Sequence, residues 1–135
     1  MSSYGEAPSY SVLMAEAVGV RLVEAVAAQD AAAIASCFTA DAQFRALVPP
    51  GLRERTGRDE TASLISGWFA DSTELVLVDS QSAEVGDRLH LAYRFEGVED
   101  GQPYVVEQHL SCTISDGKIE HADLLCSGFR PRHSG

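Results

Sequence analysis

Between Val12 and Gln29 the apolar residues Val12, Leu13, Ala17, Val20, Val23, Ala27 and Ala28 recur at helical spacing, with Glu16, Arg21 and Glu24 on another side. The pattern predicts an amphipathic first helix. Asp30 is placed to cap a second helix over 31–39, whose Ala32, Ile34, Ala35 and Phe38 make a narrow apolar stripe before Asp41 closes the segment. Residues 42–48 then alternate at period two, which predicts a strand. Pro49-Pro50-Gly51 interrupts it, and 52–56 are expected to continue it beyond a bend or bulge, at an edge of the sheet. A third helix is predicted over 59–69, with Ala62, Leu64, Ile65, Trp68 and Phe69 on its apolar side. Four strands follow, at about 74–85, 88–97, 103–114 and 118–127, joined by Gly86-Asp87, Asp100-Gly101 and Asp116-Gly117. Helix, helix, strand, helix and then an antiparallel meander is an α+β order in which one curved sheet wraps the helices. It predicts a single domain over 12–130, preceded by a flexible arm, 1–11, that is rich in Ser, Gly, Pro and Tyr without periodicity.

Strand parity then assigns side chains to faces. A two-residue turn at Asp100-Gly101 puts Arg94 opposite Glu107, Ala92 opposite His109 and His90 opposite Ser111, all pointing the same way. The same turn type at Gly86-Asp87 adds Asp79 opposite Arg94, making a cross-strand charge ladder. The other face carries Leu89, Leu91, Tyr93, Phe95, Val106, Gln108, Leu110, Cys112 and Ile114, and is the one expected against the helices. For the last hairpin, a three-residue loop with Gly117 in the left-handed position is preferred, because it joins Leu124 and Cys126 to the apolar face and His121 and Asp123 to the polar one. That register sets His109 opposite Asp123. A two-residue turn would instead mix Leu124 with His109 and put Asp123 inside.

Composition narrows the class. The chain has 135 residues, 45% of them apolar, enough for one real core and too few for two ordinary domains. A formal net charge of -10 argues against nucleic acid, whose phosphates need clustered Lys and Arg. No apolar run is long enough to span a bilayer, and Met1 to Tyr10 lacks the regions of a signal peptide, so a cytoplasmic location without membrane contact is expected. Cys37, Cys112 and Cys126 leave one thiol unpaired in any disulfide scheme and show no C-x-x-C spacing, which reads as buried, reduced cysteine.

The element order, the segment Ala35-Ser36-Cys37-Phe38-Thr39-Ala40-Asp41-Ala42 and the closing Asp116-Gly117-Lys118-Ile119 together resemble the nuclear transport factor 2-like superfamily over about residues 12–129. The ending Leu124-Leu125-Cys126-Ser127-Gly128-Phe129-Arg130-Pro131 is similar to SnoaL-like bacterial proteins. The resemblance implies a cone-shaped α+β barrel, with three N-terminal helices packed in a curved antiparallel sheet whose outer face commonly meets a second subunit. It does not choose a function, because the superfamily holds ketosteroid isomerases, polyketide cyclases, epoxide hydrolases, dehydratases and non-enzymatic factors. Ketosteroid isomerase chemistry needs a carboxylate base and two acidic donors. Aligning on the Phe38 segment puts Ala46 at the base position and Leu22 at the tyrosine donor position, while aligning on His109 puts Gln108 at the protonated aspartate position. Only Gln108 retains a donor, which disfavours that mechanism.

The polar row His90, Arg94, Glu107, His109, His121 and Asp123 has the residue types of an acid–base cluster, but a solvated face or a dimer interface explains it better. No spacing such as H-E-x-x-H supports a metal, and no cofactor is expected. A pocket belongs between the helices and the inner sheet face. The candidate catalytic residues are Gln108, Tyr93, Asp123 and His109. Candidate ligand-binding residues are Phe38, Arg45, Trp68, Phe69, Leu110, Cys112, Leu124 and Cys126, with Arg45 or Arg53 reaching the mouth. Cys112 and Cys126 are candidates for close approach across a strand. The expected function is a SnoaL-like small-molecule-binding domain, a cofactor-independent cyclase, isomerase or hydrolase for a largely apolar polyketide, steroid or terpenoid-like ligand, with a non-catalytic dimeric ligand-binding or accessory domain as the alternative. A homodimer through the outer sheet face is expected.

Overall fold

The computed structural model describes residues 10–85 and 88–132, with side chains from Val18 onward except those of Glu84 and Val85. The elements are α1 (Tyr10–Ala27), α2 (Ala31–Ala35), β1 (Phe38–Val48), β2 (Gly51–Thr56), α3 (Arg58–Trp68), β3 (Ser72–Val85), β4 (Arg88–Glu99), β5 (Gln102–Ser115), β6 (Lys118–Cys126) and a short β7 (Arg130–Pro131). Most of the expected arm lies outside the described residues, but its last two residues, Tyr10 and Ser11, already belong to α1. The expected turn at Gly86-Asp87 also lies outside them.

The strands form one curved, open sheet in the order β2-β1-β6-β5-β4-β3, with β7 taking over from β6 along β5. β1 and β6 run parallel and the other pairs antiparallel, so the sheet is mixed rather than antiparallel throughout. It does not close into a barrel, because β2 and β3 remain edges. The third helix follows the β1–β2 hairpin, so the helices are not consecutive at the N-terminal end.

Asp30 caps α2 as its position predicts, its Oδ1 accepting from the Ala33 N–H at 3.1 Å. The helix ends four residues early, however. The Cys37 carbonyl accepts from the Ile119 N–H at 2.8 Å and Phe38 pairs with Ile119, so the sheet claims residues that local propensity assigns to a helix. Phe38 is fully buried as a result. The interruption at Pro49-Pro50 is a reversal, not a bulge: Val48 pairs with Gly51 and Gln43 with Thr56 across a tight hairpin containing a cis Pro49-Pro50 bond. β2 is therefore the edge strand and β1 an interior one. On α1 the buried stripe is Val18, Leu22, Val23, Ala25 and Val26, while Val20, expected on that side, is exposed. Gln29, in the left-handed region at φ 56, donates from Nε2 to the carbonyls of Phe69 (2.7 Å) and Ser72 (3.2 Å), tying the end of α1 to the loop after α3.

The β4–β5 register is the predicted one, with Arg94 opposite Glu107, Ala92 opposite His109 and His90 opposite Ser111. Asp100 and Gly101 both take positive φ, 53° and 77°, as a type I′ hairpin requires. Asp79 pairs with Arg94 as well. The last hairpin departs from expectation. Asp116 and Gly117 form another two-residue turn, with Ser115 opposite Lys118, and the three-residue loop is absent. The register then shifts between Ile114↔Ile119 and Thr113↔His121, leaving Glu120 as the extra residue of a bulge. One extra residue restores the parity that the shorter turn removes. Leu124 and Cys126 thus face inward and His121 and Asp123 outward, but Asp123 lies opposite Ser111 and His109 opposite Leu125. The inner face packs Leu89, Leu91, Tyr93, Phe95, Val106, Leu110 and Leu124 against the helices. Each large side chain so buried contributes about 1.5–3 kcal/mol.

Candidate functional site

Inside the cone the polar groups are few: Thr61 Oγ1 is buried without a partner, and Tyr93, Gln108 and Cys126 form one chain. Tyr93, on β4, donates its hydroxyl to Gln108 Oε1 on β5 at 2.6 Å. Gln108 Nε2 in turn reaches Cys126 Sγ, at the end of β6, at 3.5 Å. Gln108 and Tyr93 are 0% and 3% exposed, so this chain of neutral groups is sealed within the core and only Cys126 approaches its end. Burial raises the Tyr93 hydroxyl far above the ordinary phenol range, with the Cys126 and Cys112 sulfurs adding to the effect. Burial likewise pushes the Cys112 thiol up to about 12, against a smaller opposing influence of Arg88. Both groups are neutral donors at physiological pH, and Cys112 is no thiolate nucleophile. The two cysteines are not close across a strand. Cys126 pairs with Gln108 and Cys112 with Ala122, four residues apart along β5, or about 13 Å at the usual strand rise.

At the mouth of the cone a groove of about 560 Å³ opens between the β1–β2 turn, the end of α3 and the segment after β6. It is lined by Val48, Pro49, Arg53, Trp68, Cys126 and residues 127–130. Local sequence explains its shape. Gly128 breaks β6 from β7 with φ 85, and a Cβ there would stand 3.3 Å from Pro49 Cγ. The break turns the Phe129 ring inward, 5.4 Å from Phe69 and 4.9 Å from Tyr104 by ring centroids. Arg53 sits opposite Ala46, whose side chain is fully buried on the concave side, so strand parity sends Arg53 to that side too.

The outer face holds the acid–base residue types. Glu107 accepts from Arg94 Nη2 at 2.9 Å and meets His109 Nε2 at 2.7 Å, and these bonds, His109 first, hold its carboxyl below the ordinary range. Asp123 meets Arg45 Nε at 3.0 Å, His121 Nε2 at 3.3 Å and Arg88 Nη2 at 3.8 Å. Partial burial raises the Asp123 carboxyl, but the bonds from Arg45 and His121 outweigh it and leave it lowered. Glu107 and His109 line a shallow groove of about 680 Å³ with Arg94, Leu125 and Arg132. Leu47 pairs with both Leu125 and Leu52, so three half-exposed leucines form one apolar patch beside these charges.

The four candidate catalytic residues therefore fall into separate places: Tyr93 and Gln108 together in the core, His109 and Asp123 apart from each other on the outer face. Of the candidate ligand residues, Trp68 and Cys126 line the mouth groove. Phe38, Phe69, Leu110, Cys112 and Leu124 are core residues, Phe38 packing edge-on to Phe44 at 6.2 Å. Arg45 does not reach the mouth. Ala42, Phe44, Ala46 and Val48 take the inward positions of β1, which leaves Arg45 outside, on Asp123. The lining residues Pro49, Ser127, Gly128, Phe129 and Arg130 were not among the sequence candidates. The Ser127-Gly128-Phe129 break was their one local sign, since a glycine after an alternating run marks a bulge or close approach. Among the described residues, no group of three His, Cys, Asp or Glu side chains is placed to hold a metal, and no helix is long and apolar enough to cross a membrane.

The SnoaL-like domain family matches residues 20–122. No curated protein matches. Solved structures share the fold at low identity, which carries the architecture alone. A candidate isomerase from Bacillus subtilis is 12% identical, with a TM-score of 0.75 over 88% of this chain and 90% of that one. A candidate SnoaL-like polyketide cyclase from Jannaschia sp. CCS1 is 18% identical, with a TM-score of 0.72 over 91% and 92%. A Catenulispora acidiphila protein of ketosteroid isomerase-like fold, in complex with trimethylamine, is 16% identical, with a TM-score of 0.68 over 79% and 82%. The chain's architecture is that of the nuclear transport factor 2-like superfamily.

Proposed function

The chain belongs to the SnoaL-like domain family, and from that premise we propose that it binds a largely apolar small molecule, of polyketide, steroid or terpenoid character, in the groove at the mouth of its cone. One observation carries this: Trp68 and Phe129 offer ring surface in a groove whose deeper side is Cys126, backed by the Gln108–Tyr93 pair. The histidines His90, His109 and His121 and the carboxylates Glu107 and Asp123 belong to the other face of the sheet, and among the described residues no carboxylate lines the groove. General acid–base catalysis requires a titrating group within reach of the substrate. The arrangement therefore favours binding, with neutral hydrogen-bond donors, over proton abstraction.

A cyclase remains the second reading, supported by the relatives that carry that name and by the donors themselves. If a ligand carbonyl replaced Cys126 as the acceptor of Gln108 Nε2, the amide would polarise it, and the ligand would have to bring its own acidic C–H. Leu47, Leu52 and Leu125, with the ladder of Arg94 and Glu107, also support a homodimer through the outer face. Three buried free thiols fit a reducing, cytoplasmic setting.

Thermal unfolding of the full chain across a polyketide, steroid and terpenoid panel tests the binding function. Stabilisation that grows with ligand concentration and is lost in Trp68→Ala is expected, because a ligand held by the folded state alone raises its stability by mass action. Stabilisation unaffected by Trp68→Ala would move the site elsewhere, and none from any class would favour a non-catalytic accessory domain.

A further inference from the structure

The outward side chains of the sheet fall into rows that cross it from edge to edge. Leu52, Leu47, Leu125, His109, Ala92 and Gln81 are successive cross-strand partners from β2 to β3. The row is uneven. On one side of His109 the three leucines are each more than half exposed and form a ridge. On the other side Ala92 and its neighbour Ala83 are too short to fill their positions, and a hollow of about 180 Å³ opens there, bordered by His90, His109 and Gln81. The adjacent row runs Glu54, Arg45, Asp123, Ser111, His90 and Ala83. Charges on this face are matched as well. All six ion pairs among the described residues lie on it, in a chain of net charge -10, so two copies meet there without bringing the excess carboxylates together. Ridge and hollow sit at one level on either side of β5, which makes the face complementary to itself.

We propose that two copies of this chain meet about a two-fold axis running along β5, so that Leu125 of each seats in the hollow over Ala92 of the other. The inference rests on the outer-face homodimer and specifies how its copies fit. Such an axis carries β6 of one copy over β4 of its partner, and the isologous contact repeats each pairing in reverse. It places Leu125 over Ala92, Leu47 over Gln81 and the Asp123 carboxylate over the His90 ring. The strands of the two sheets stay aligned, as face-to-face sheets prefer. A two-fold axis across the strands would instead stack each strand on its own copy, leaving the hollow facing itself and setting Arg94 over His90. An axis displaced to between β5 and β6 would set Arg45 over His90. Only the axis along β5 gives His90 a carboxylate and the ridge a hollow.

Within one copy Leu125 and Ala92 lie two strands apart, about 10 Å, too far for their methyl groups to touch. A mixed dimer of one isotope-labelled and one unlabelled full chain therefore reports the pairing directly, and a nuclear Overhauser effect between Leu125 and Ala92 methyl groups of different copies is expected. Exchanging the two side chains gives an independent readout by sedimentation equilibrium. Leu125→Ala empties the hollow and Ala92→Leu fills it, so each should weaken association about tenfold, whereas the double variant should return to within about threefold of the unaltered chain. Thermal unfolding of the dilute variants reports that they are folded. A contact from Leu125 to Leu125, tighter association of Ala92→Leu, or losses that simply add in the double variant would overturn this axis while leaving the dimer intact. An unaltered chain that sediments as a monomer would overturn the dimer and the pairing together.

Discussion

Replacing Tyr93 with Phe removes one oxygen from the interior and tests whether the Tyr93–Gln108 pair is sealed structure or part of a wet pocket. The hydroxyl donates to Gln108 Oε1 at 2.6 Å, and Gln108 is 0% exposed, so no water replaces the lost donor. An acceptor stranded in this way costs about 1–3 kcal/mol, whereas the ring itself packs as before. Thermal midpoints move by roughly 4 °C per kcal/mol in a domain of this size, so a fall of about 4–12 °C is expected. Gln108→Leu strands the tyrosine hydroxyl and should cost a similar amount. The double variant removes both partners and should be more stable than the sum of the single losses predicts, by about 1–3 kcal/mol. Urea unfolding of the four proteins supplies this cycle. Because burial holds the tyrosine hydroxyl neutral far beyond its ordinary range, the coupling should be constant between pH 6 and about pH 9. A Tyr93→Phe loss below about 0.5 kcal/mol, with no coupling in the cycle, would mean that water reaches the pair and that the sealed interior described above is wrong.

Three further outcomes follow from the same geometry. Gly97→Ala should destabilise by about 1–3 kcal/mol in urea unfolding, because a Cβ there would stand 2.7 Å from the Tyr104 hydroxyl, which is anchored to Ser72 Oγ at 2.7 Å. The Glu107 and Asp123 carboxyls are held below their ordinary range, so what they add to stability is present above the unfolded carboxylate value and is lost as pH falls through the lowered one. Unfolding free energy followed from pH 7 into the acid range should decline less steeply in Glu107→Gln and Asp123→Asn, and an unchanged slope would show that these exposed contacts are screened to nothing. Leu125→Glu puts a charge into the apolar patch with Leu47 and Leu52, and should convert a dimer to a monomer by light scattering at micromolar concentration; a dimer that persists would move the interface off this face.

Much of this structure is legible in the sequence where period-two alternation and Asp-Gly turns act together. They place Tyr93, Gln108 and Leu110 inside and Arg94, Glu107 and His109 outside, because one face of each strand is buried and a one-residue slip would invert every side chain. The Glu120 bulge is harder to read, although the consecutive polar residues Glu120 and His121 in an otherwise alternating strand are its trace. The parallel pairing of β1 with β6 leaves no local mark, since it joins segments more than 70 residues apart. The same long-range pairing explains why Cys37 and Phe38 leave the helix that their neighbours favour. Arg45 was misplaced although its own alternation with Ala42, Phe44, Ala46 and Val48 points it outward. The double proline hid the hairpin that sends Arg53 inward instead. The inward turn of Phe129 depends on the break at Gly128, whose positive φ and packing on Pro49 arise only in the assembled fold.

The central claim is that the concave mouth, rather than the histidine-bearing outer face, receives the ligand. A backbone amide chemical-shift map of the full chain titrated with 2-naphthamide, a flat and largely apolar probe, tests it most directly. The largest saturable shifts are expected at Val48, Arg53, Trp68, Gly128 and Phe129, with Arg94, Glu107 and His109 nearly still. Shifts centred on Arg94, Glu107 and His109, with the Val48, Arg53 and Trp68 amides unmoved, would contradict it.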